Sequence, residues 1–216
     1  MKTKIIIFLI TIYLSLLPFI YNNHNPELSS KKNNQIEINI EYKLTKYPIL
    51  NKEIEKTIDY HKRIFYNSID NNTINNITYT LYITYKEYNY NNYISYIFYI
   101  ETFLGGPHPN HQITTLNYNI TNNKLININT LIQNNPAILN TLSNLSRNKL
   151  KKIKVFNDYN LIDMMLEGTK PTKNNFKNFI FTNNGLMIIF ERYQIAPYYL
   201  GEYNITIPYN NLNLNI

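Results

Sequence analysis

The sequence predicts an α+β fold: one antiparallel sheet with two principal helices packed on one face and a carboxyl-terminal β-hairpin. Three observations predict it. Residues 36–42, Ile-Glu-Ile-Asn-Ile-Glu-Tyr, alternate with period two, whereas Ile54, Ile58, His61, Phe65 and Ile69 recur at helical spacing. Three further strand candidates, 77–85, 93–103 and 112–120, are joined by connections too short for the crossover that a parallel pair requires. Asn184-Gly185 lies between the apolar runs 176–181 and 186–190, and Asn-Gly supplies the two positive φ angles of a type I′ hairpin turn.

Each element has its own signals. Pro48 stops the first strand, and Asn51 offers an N-cap side chain ahead of Glu53 and Glu55. Asn122, Asn123 and Lys124 mark a turn, after which Asn135 and Pro136 suit the N-cap and first position of a helix reaching about Lys154. That helix would turn Leu139, Leu142, Leu150 and Ile153 toward the sheet. A shorter helix is expected over 158–168, stopped by Gly168 with Pro171 just beyond. A last strand, 203–207, is closed by Pro208.

Ahead of this domain the chain reads differently. Lys2 and Lys4 precede an uncharged apolar run, 5–17, which Pro18 and a polar Asn-rich stretch end. The run is shorter than the roughly 20 residues of a spanning helix and fits the length of a secretory apolar region. No small-residue cleavage site is evident around Phe19, Ile20 and Tyr21. Residues 1–21 are thus a signal peptide or an amino-terminal membrane anchor, 22–34 a polar linker, and 35–216 a single extracytoplasmic domain. Without cysteine, the chain has no lipid-anchoring thiol, disulfide framework or thiolate metal site. A net charge of +7 favours anionic partners, and export argues against nucleic acid among them. Abundant Asn, Ile, Lys and Tyr indicate compositional bias and carry no functional meaning.

Two turn-forming stretches carry the rest: Gly105-Gly106-Pro107-His108-Pro109-Asn110, and Tyr193-Gln194-Ile195-Ala196-Pro197-Tyr198-Tyr199-Leu200-Gly201. With Tyr47-Pro48 before them and Ile207-Pro208-Tyr209 after, they occur in the order seen in the extracytoplasmic domain of RsiV-type anti-sigma factors. That domain also occurs at the amino side of some peptidoglycan deacetylases. The resemblance covers about 36–212, with Pro107 in place of the usual Ala and Asn-Asn-Lys in place of a Gly-Lys turn. It implies a domain of unknown function that recognises a protein or wall component, lysozyme being the ligand class of the family. Neither a cytoplasmic sigma-binding region nor a deacetylase domain is expected in this sequence.

The candidate binding residues are Gly105, Gly106, His108, Tyr193, Tyr198 and Tyr199 in the two turns, and Lys149, Lys151, Lys152 and Lys154, which with Arg147 crowd one helix end. His108 reads first as a hydrogen-bond partner bracing its turn; His108 and His111 alone do not make a zinc site, so no metal or cofactor is expected. His61 belongs to a helical apolar stripe and reads as a satisfied histidine at the core edge. Glu101, Glu191 and Glu202 read as rim carboxylates, though a paired-carboxylate site would need two such groups. The cations cap a helix carboxyl end or form a patch for anionic wall polymer or lipid. The expected function is a non-enzymatic envelope binding module outside the cytoplasmic membrane, its partner a lysozyme-like protein or an anionic envelope component. The alternative is a small wall-active hydrolase using His108 with a nearby carboxylate.

Overall fold

The computed structural model describes residues 27–32, 35–69 and 77–214; the signal or anchor expected at 1–21 lies outside them. Among these residues no helix is long and apolar enough to cross a membrane. Among the described residues nine strands form two sheets. The larger has the order β1-β2-β3-β4-β5-β6, with β1 at Glu27–Lys32, β2 at Ile36–Tyr42, β3 at Tyr79–Tyr90, β4 at Tyr93–Phe103, β5 at Asn110–Asn119 and β6 at Lys124–Ile126. The smaller is β7 (Phe179–Thr182), β8 (Gly185–Phe190) and β9 (Tyr203–Ile207). The α+β class is as expected, but the carboxyl-terminal hairpin builds this second sheet instead of completing the first.

Other departures have local causes. The stretch 27–32, polar enough to read as linker, pairs antiparallel with β2, because backbone pairing at a sheet edge needs no apolar pattern. Strand β2 joins β3 in parallel, which helix α1 (Pro48–Ser68) permits by supplying the long crossover between them. Asn51 does not cap α1: its carboxamide accepts from the Thr45 N–H at 2.7 Å and donates to the Thr45 carbonyl at 2.8 Å, closing the loop before the helix. The helix expected over 135–154 is α3 (Ile138–Leu150), and a further helix not expected from the sequence, α2 (Ile128–Asn134), precedes it. Helix α2 starts in a capping box between Asn127 and Thr130. The β7–β8 turn is Asn183–Asn184, one residue earlier than the Asn-Gly signal, since Thr182 pairs with Gly185. Gly185, at φ 139°, is the only residue that fits there, because a Cβ would lie 2.2 Å from the Ile207 carbonyl oxygen.

Strand β4 explains the layering. Its alternate residues Ile94, Tyr96, Phe98 and Ile100 join Leu50, Ile54, Ile58 and Phe65 of α1 in one core. The intervening Tyr93, Ser95 and Ile97 face the smaller sheet, Tyr93 stacking on Phe181 with ring centroids 4.1 Å apart. A strand buried on both faces loses the apolar–polar alternation of an exposed sheet. Helices α3 and α4 (Tyr159–Gly168) cover the far side of the smaller sheet with Leu142, Leu150, Leu161 and Met165. The two main helices therefore lie against different sheets, and the order of layers is α1, large sheet, small sheet, α3 with α4. His61 sits at the edge of the first layer, buried, with Nε2 3.0 Å from the Thr114 hydroxyl.

Candidate functional site

The small sheet does not cover the whole inner face of the large one. Beyond the contact of Ile97 and Ile113 with Ile180 and Ile189, the same face continues through Tyr82, Tyr99, Glu101 and His111. Pairing places Tyr82 and His111 on either side of Glu101, so period-two alternation aims all three the same way. The chain leaving β8 and entering β9 arches over them and contributes Glu191, Arg192 and Glu202. Between the two lies a cleft of about 470 Å³.

Both turn motifs meet at its rim. Tyr198 spans them: its ring stacks on His108 at 4.1 Å, its hydroxyl donates to the Pro109 carbonyl at 3.1 Å, and the Arg192 guanidinium covers it at 4.6 Å. Tyr193 packs on the same ring at 5.5 Å from a φ of 66°, a backbone state that tyrosine rarely adopts. Gln194 holds this geometry by donating to the carbonyls of Gly168 and Asn175 and accepting from the Glu191 N–H. Ile195 and Ala196 anchor the turn in the core. Tyr193 and Tyr199 stay 57% and 80% exposed, so the rim presents aromatic surface to solvent.

His108 is itself exposed, and its Nδ1–H donates to the neighbouring Pro109 carbonyl at 2.9 Å. Its bracing role falls to ring stacking on Tyr198, since a solvated hydrogen bond contributes little. Gly105, at φ 83°, turns the chain out of β4 and would bring a Cβ to 3.0 Å from Ile77; Gly106 has no such constraint. Lys149, Lys151, Lys152 and Lys154 do not line the cleft. They lie at and after the carboxyl end of α3, while Arg147 is committed elsewhere, donating to the Leu166 carbonyl and the Thr169 hydroxyl at 2.9 Å each. The ten candidates thus divide into a turn group that borders the cleft without lining it, Gly106 and His108 lining a neighbouring cavity with His61, and a separate lysine group.

The three carboxylates are all in the cleft, each near a cation or imidazole. Glu101 lies 3.4 Å from His111 Nδ1, and Glu191 lies 3.3 Å from Lys177 while accepting the Ile113 N–H at 2.7 Å. Burial pushes the Glu202 carboxyl up, opposed by Arg192 and Lys86. The His111 imidazole is pushed down by burial and then by Arg192, more than Glu101 restores. Its contact with Glu101 is an ion pair only where the imidazole is protonated, which burial and Arg192 disfavour. Burial raises the Tyr99 phenol to about 12. Tyr82, Tyr99 and Arg192 carry no motif; only the strand register, which sets Glu101 opposite His111, would have exposed the cluster. Among the described residues no three or more histidine or acidic side chains are placed to hold a metal ion.

Burial also lowers the His61 pKa, the Glu191 charge opposing it only in part. Groups whose folded pKa is depressed contribute stability that is present above their unfolded value and lost as pH falls through the folded one. Stability should therefore decline as pH drops below the ordinary imidazole value of 6.5. His61→Gln, which cannot take a charge, should flatten that decline; an unchanged profile in urea melts across pH 7 to 5 would exclude His61 as its source.

The second turn motif and the strands around it are similar to a known sequence family. Residues 129–210 match the family model described as Protein of unknown function (DUF3298). Over 106 residues, 49% of this chain, the sequence is 33% identical to the peptidoglycan-N-acetylmuramic acid deacetylase PdaC of Bacillus subtilis. The match spans 22% of that protein. Two crystal structures share the fold. A DUF3298 family protein of Pseudomonas aeruginosa superposes with a TM-score of 0.67 at 16% identity, covering 89% of this chain and 94% of that one. A family member from Bacteroides fragilis gives 0.58 at 17% identity, covering 87% and 90%.

Proposed function

We propose that the protein is a non-catalytic binding module of the bacterial envelope, working outside the cytoplasmic membrane. One observation carries the binding reading: two turns far apart in sequence converge on Tyr198 and raise an exposed aromatic rim beside a concave cleft that holds charged side chains. The basic start and short apolar run support export, and the shared stretch with an enzyme named for peptidoglycan supports the envelope. The ordered turn motifs support the finer likeness to lysozyme-sensing domains. Against the hydrolase alternative, His108 is on the exposed rim and braces a turn.

The test is retention of the full chain on purified envelope fragments, wall and membrane together. Retention is expected, and Tyr199→Ala with Tyr198→Phe should lower it several-fold, the first removing an exposed ring and the second the tie to Pro109. Changing Lys149, Lys151, Lys152 and Lys154 to Gln should leave it largely intact. If the lysine changes alone abolish retention, the site is an anion patch and not the cleft. Release of soluble wall fragments, lost in His108→Ala, would establish the hydrolase instead.

A further inference from the structure

The chemistry of the cleft lining specifies what it accepts, given the reading that the cleft is the ligand face. A volume of about 470 Å³ falls within the range of roughly 300–1,000 Å³ typical of small-ligand sites. The chain as a whole is strongly basic, yet the cleft is not. Glu101 faces His111, Glu191 faces Lys177, and Glu202 lies in the fields of Arg192 and Lys86, whose ammonium sits 5.2 Å over the Tyr99 ring. No net charge of a ligand is favoured by such a lining: an anion meets three carboxylates, a cation meets the guanidinium and two flanking lysines.

What the lining does offer is directional polarity beside aromatic faces. Carboxylates accept two hydrogen bonds side by side, and the guanidinium donates several in a plane. Tyr99 and Tyr82, the latter with its hydroxyl donating to Glu37, supply apolar ring faces in the cleft, and the exposed Tyr193 and Tyr199 continue that character beside it. A ligand complementary to all of this is uncharged, rich in hydroxyl and amide groups on both edges, and apolar on its ring faces. Such a ligand is also longer than the cleft, since the exposed rings extend beyond it.

We propose that the cleft binds an uncharged oligosaccharide segment, with Glu101, Arg192 and Glu202 engaging its hydroxyl and amide groups and the tyrosine rim supporting its ring faces.

The test is calorimetric titration of the full chain with three probes of equal length: an N-acetylglucosamine tetramer, its cationic deacetylated form, and an anionic glycerol-phosphate oligomer. Saturable binding is expected for the neutral tetramer only, changing less than about twofold between low and high salt because no charge of the ligand is screened. Glu202→Gln and Glu101→Gln, which keep side-chain shape, should each weaken it about tenfold, the loss expected for a hydrogen bond to a charged group. Unchanged melting of both variants guards against misfolding, and Tyr199→Ala gives a third variant remote from the core. Preference for either charged probe, or indifference to all three variants, overturns the proposal. If none of the probes binds while the full chain is still retained on envelope fragments, the glycan assignment fails and the binding-module reading stands; loss of both removes that reading as well.

Discussion

Gly168→Ala is expected to destabilise the protein by about 2–4 kcal/mol, at the upper end of what overpacking costs. The spacing of the sequence casts Gly168 as a helix stop, a position where glycine relieves a left-handed backbone. The structure gives another reason. Gly168 is the last residue of α4, the next residue Thr169 has a φ of −111°, and no left-handed turn is made. The requirement is space: a Cβ on Gly168 would lie 1.8 Å from the Gln194 carbonyl oxygen and 2.6 Å from its carbon, both backbone atoms that no rotamer change can move. Gln194 in turn donates to the Gly168 carbonyl at 3.0 Å, so helix end and turn are fitted to each other. Displacing Gln194 moves Arg192 and Tyr193 beside it, and retention on envelope fragments should fall along with stability. Gly106→Ala is the control, its nearest neighbour being 3.9 Å away. In urea unfolding the Gly168 variant should show a lower midpoint at unchanged slope; equal midpoints for the two variants would refute the close-packing account.

How far the sequence speaks depends on the range of the interaction that decides each feature. Strands 36–42, 93–103 and 203–207 coincide with β2, β4 and β9, because period and bounding turns are properties of neighbouring residues. The hairpin at Asn184 is real yet one residue out of place, since the choice between Asn-Gly and Asn-Asn at the turn is made by the Ile207 carbonyl pressing on Gly185. Short capping signals such as Asn127 with Thr130 were readable, and they mark a helix that a search for long apolar stripes passes over. The two turn motifs announced themselves as constrained, and they meet. Their meeting point could not be read, because Tyr198 reaches Pro109 across 89 positions. The cleft was least legible of all. Glu101, His111 and Glu202 are ordinary polar residues until register and the divergence of two sheets turn them toward one space.

Asn117→Ala is expected to cost about 2–4 kcal/mol, although Asn117 belongs to no motif and no apolar stripe. Strand β7 is an edge strand of the small sheet, and its outer backbone groups would be buried without partners where it meets the large sheet. Side chains of β4 and β5 supply those partners. The Phe181 N–H donates to the Ser95 hydroxyl at 3.2 Å, that hydroxyl donates to the Asn117 carboxamide oxygen at 2.6 Å, and the carboxamide nitrogen donates to the Phe179 carbonyl at 2.9 Å. The Phe179 N–H donates to the Thr115 hydroxyl at 3.2 Å. Ser95 and Asn117 are almost wholly buried, so truncating Asn117 leaves the Phe179 carbonyl without its side-chain donor and the Ser95 O–H without its acceptor in a region water does not reach, each costing about 1–3 kcal/mol. Because the two side chains share one hydrogen bond, Ser95→Ala combined with Asn117→Ala should cost less than the sum of the two single changes. Strict additivity in a double-mutant cycle would show that they act independently, and a wild-type midpoint for Asn117→Ala would show that apolar contact alone docks the sheets. The seam also fixes where the sheets part company. Hydrogen bonds to β7 hold them together as far as Phe179, its first residue, and the cleft opens beyond that point; the polar residues that stabilise the fold thereby set the mouth of the proposed site.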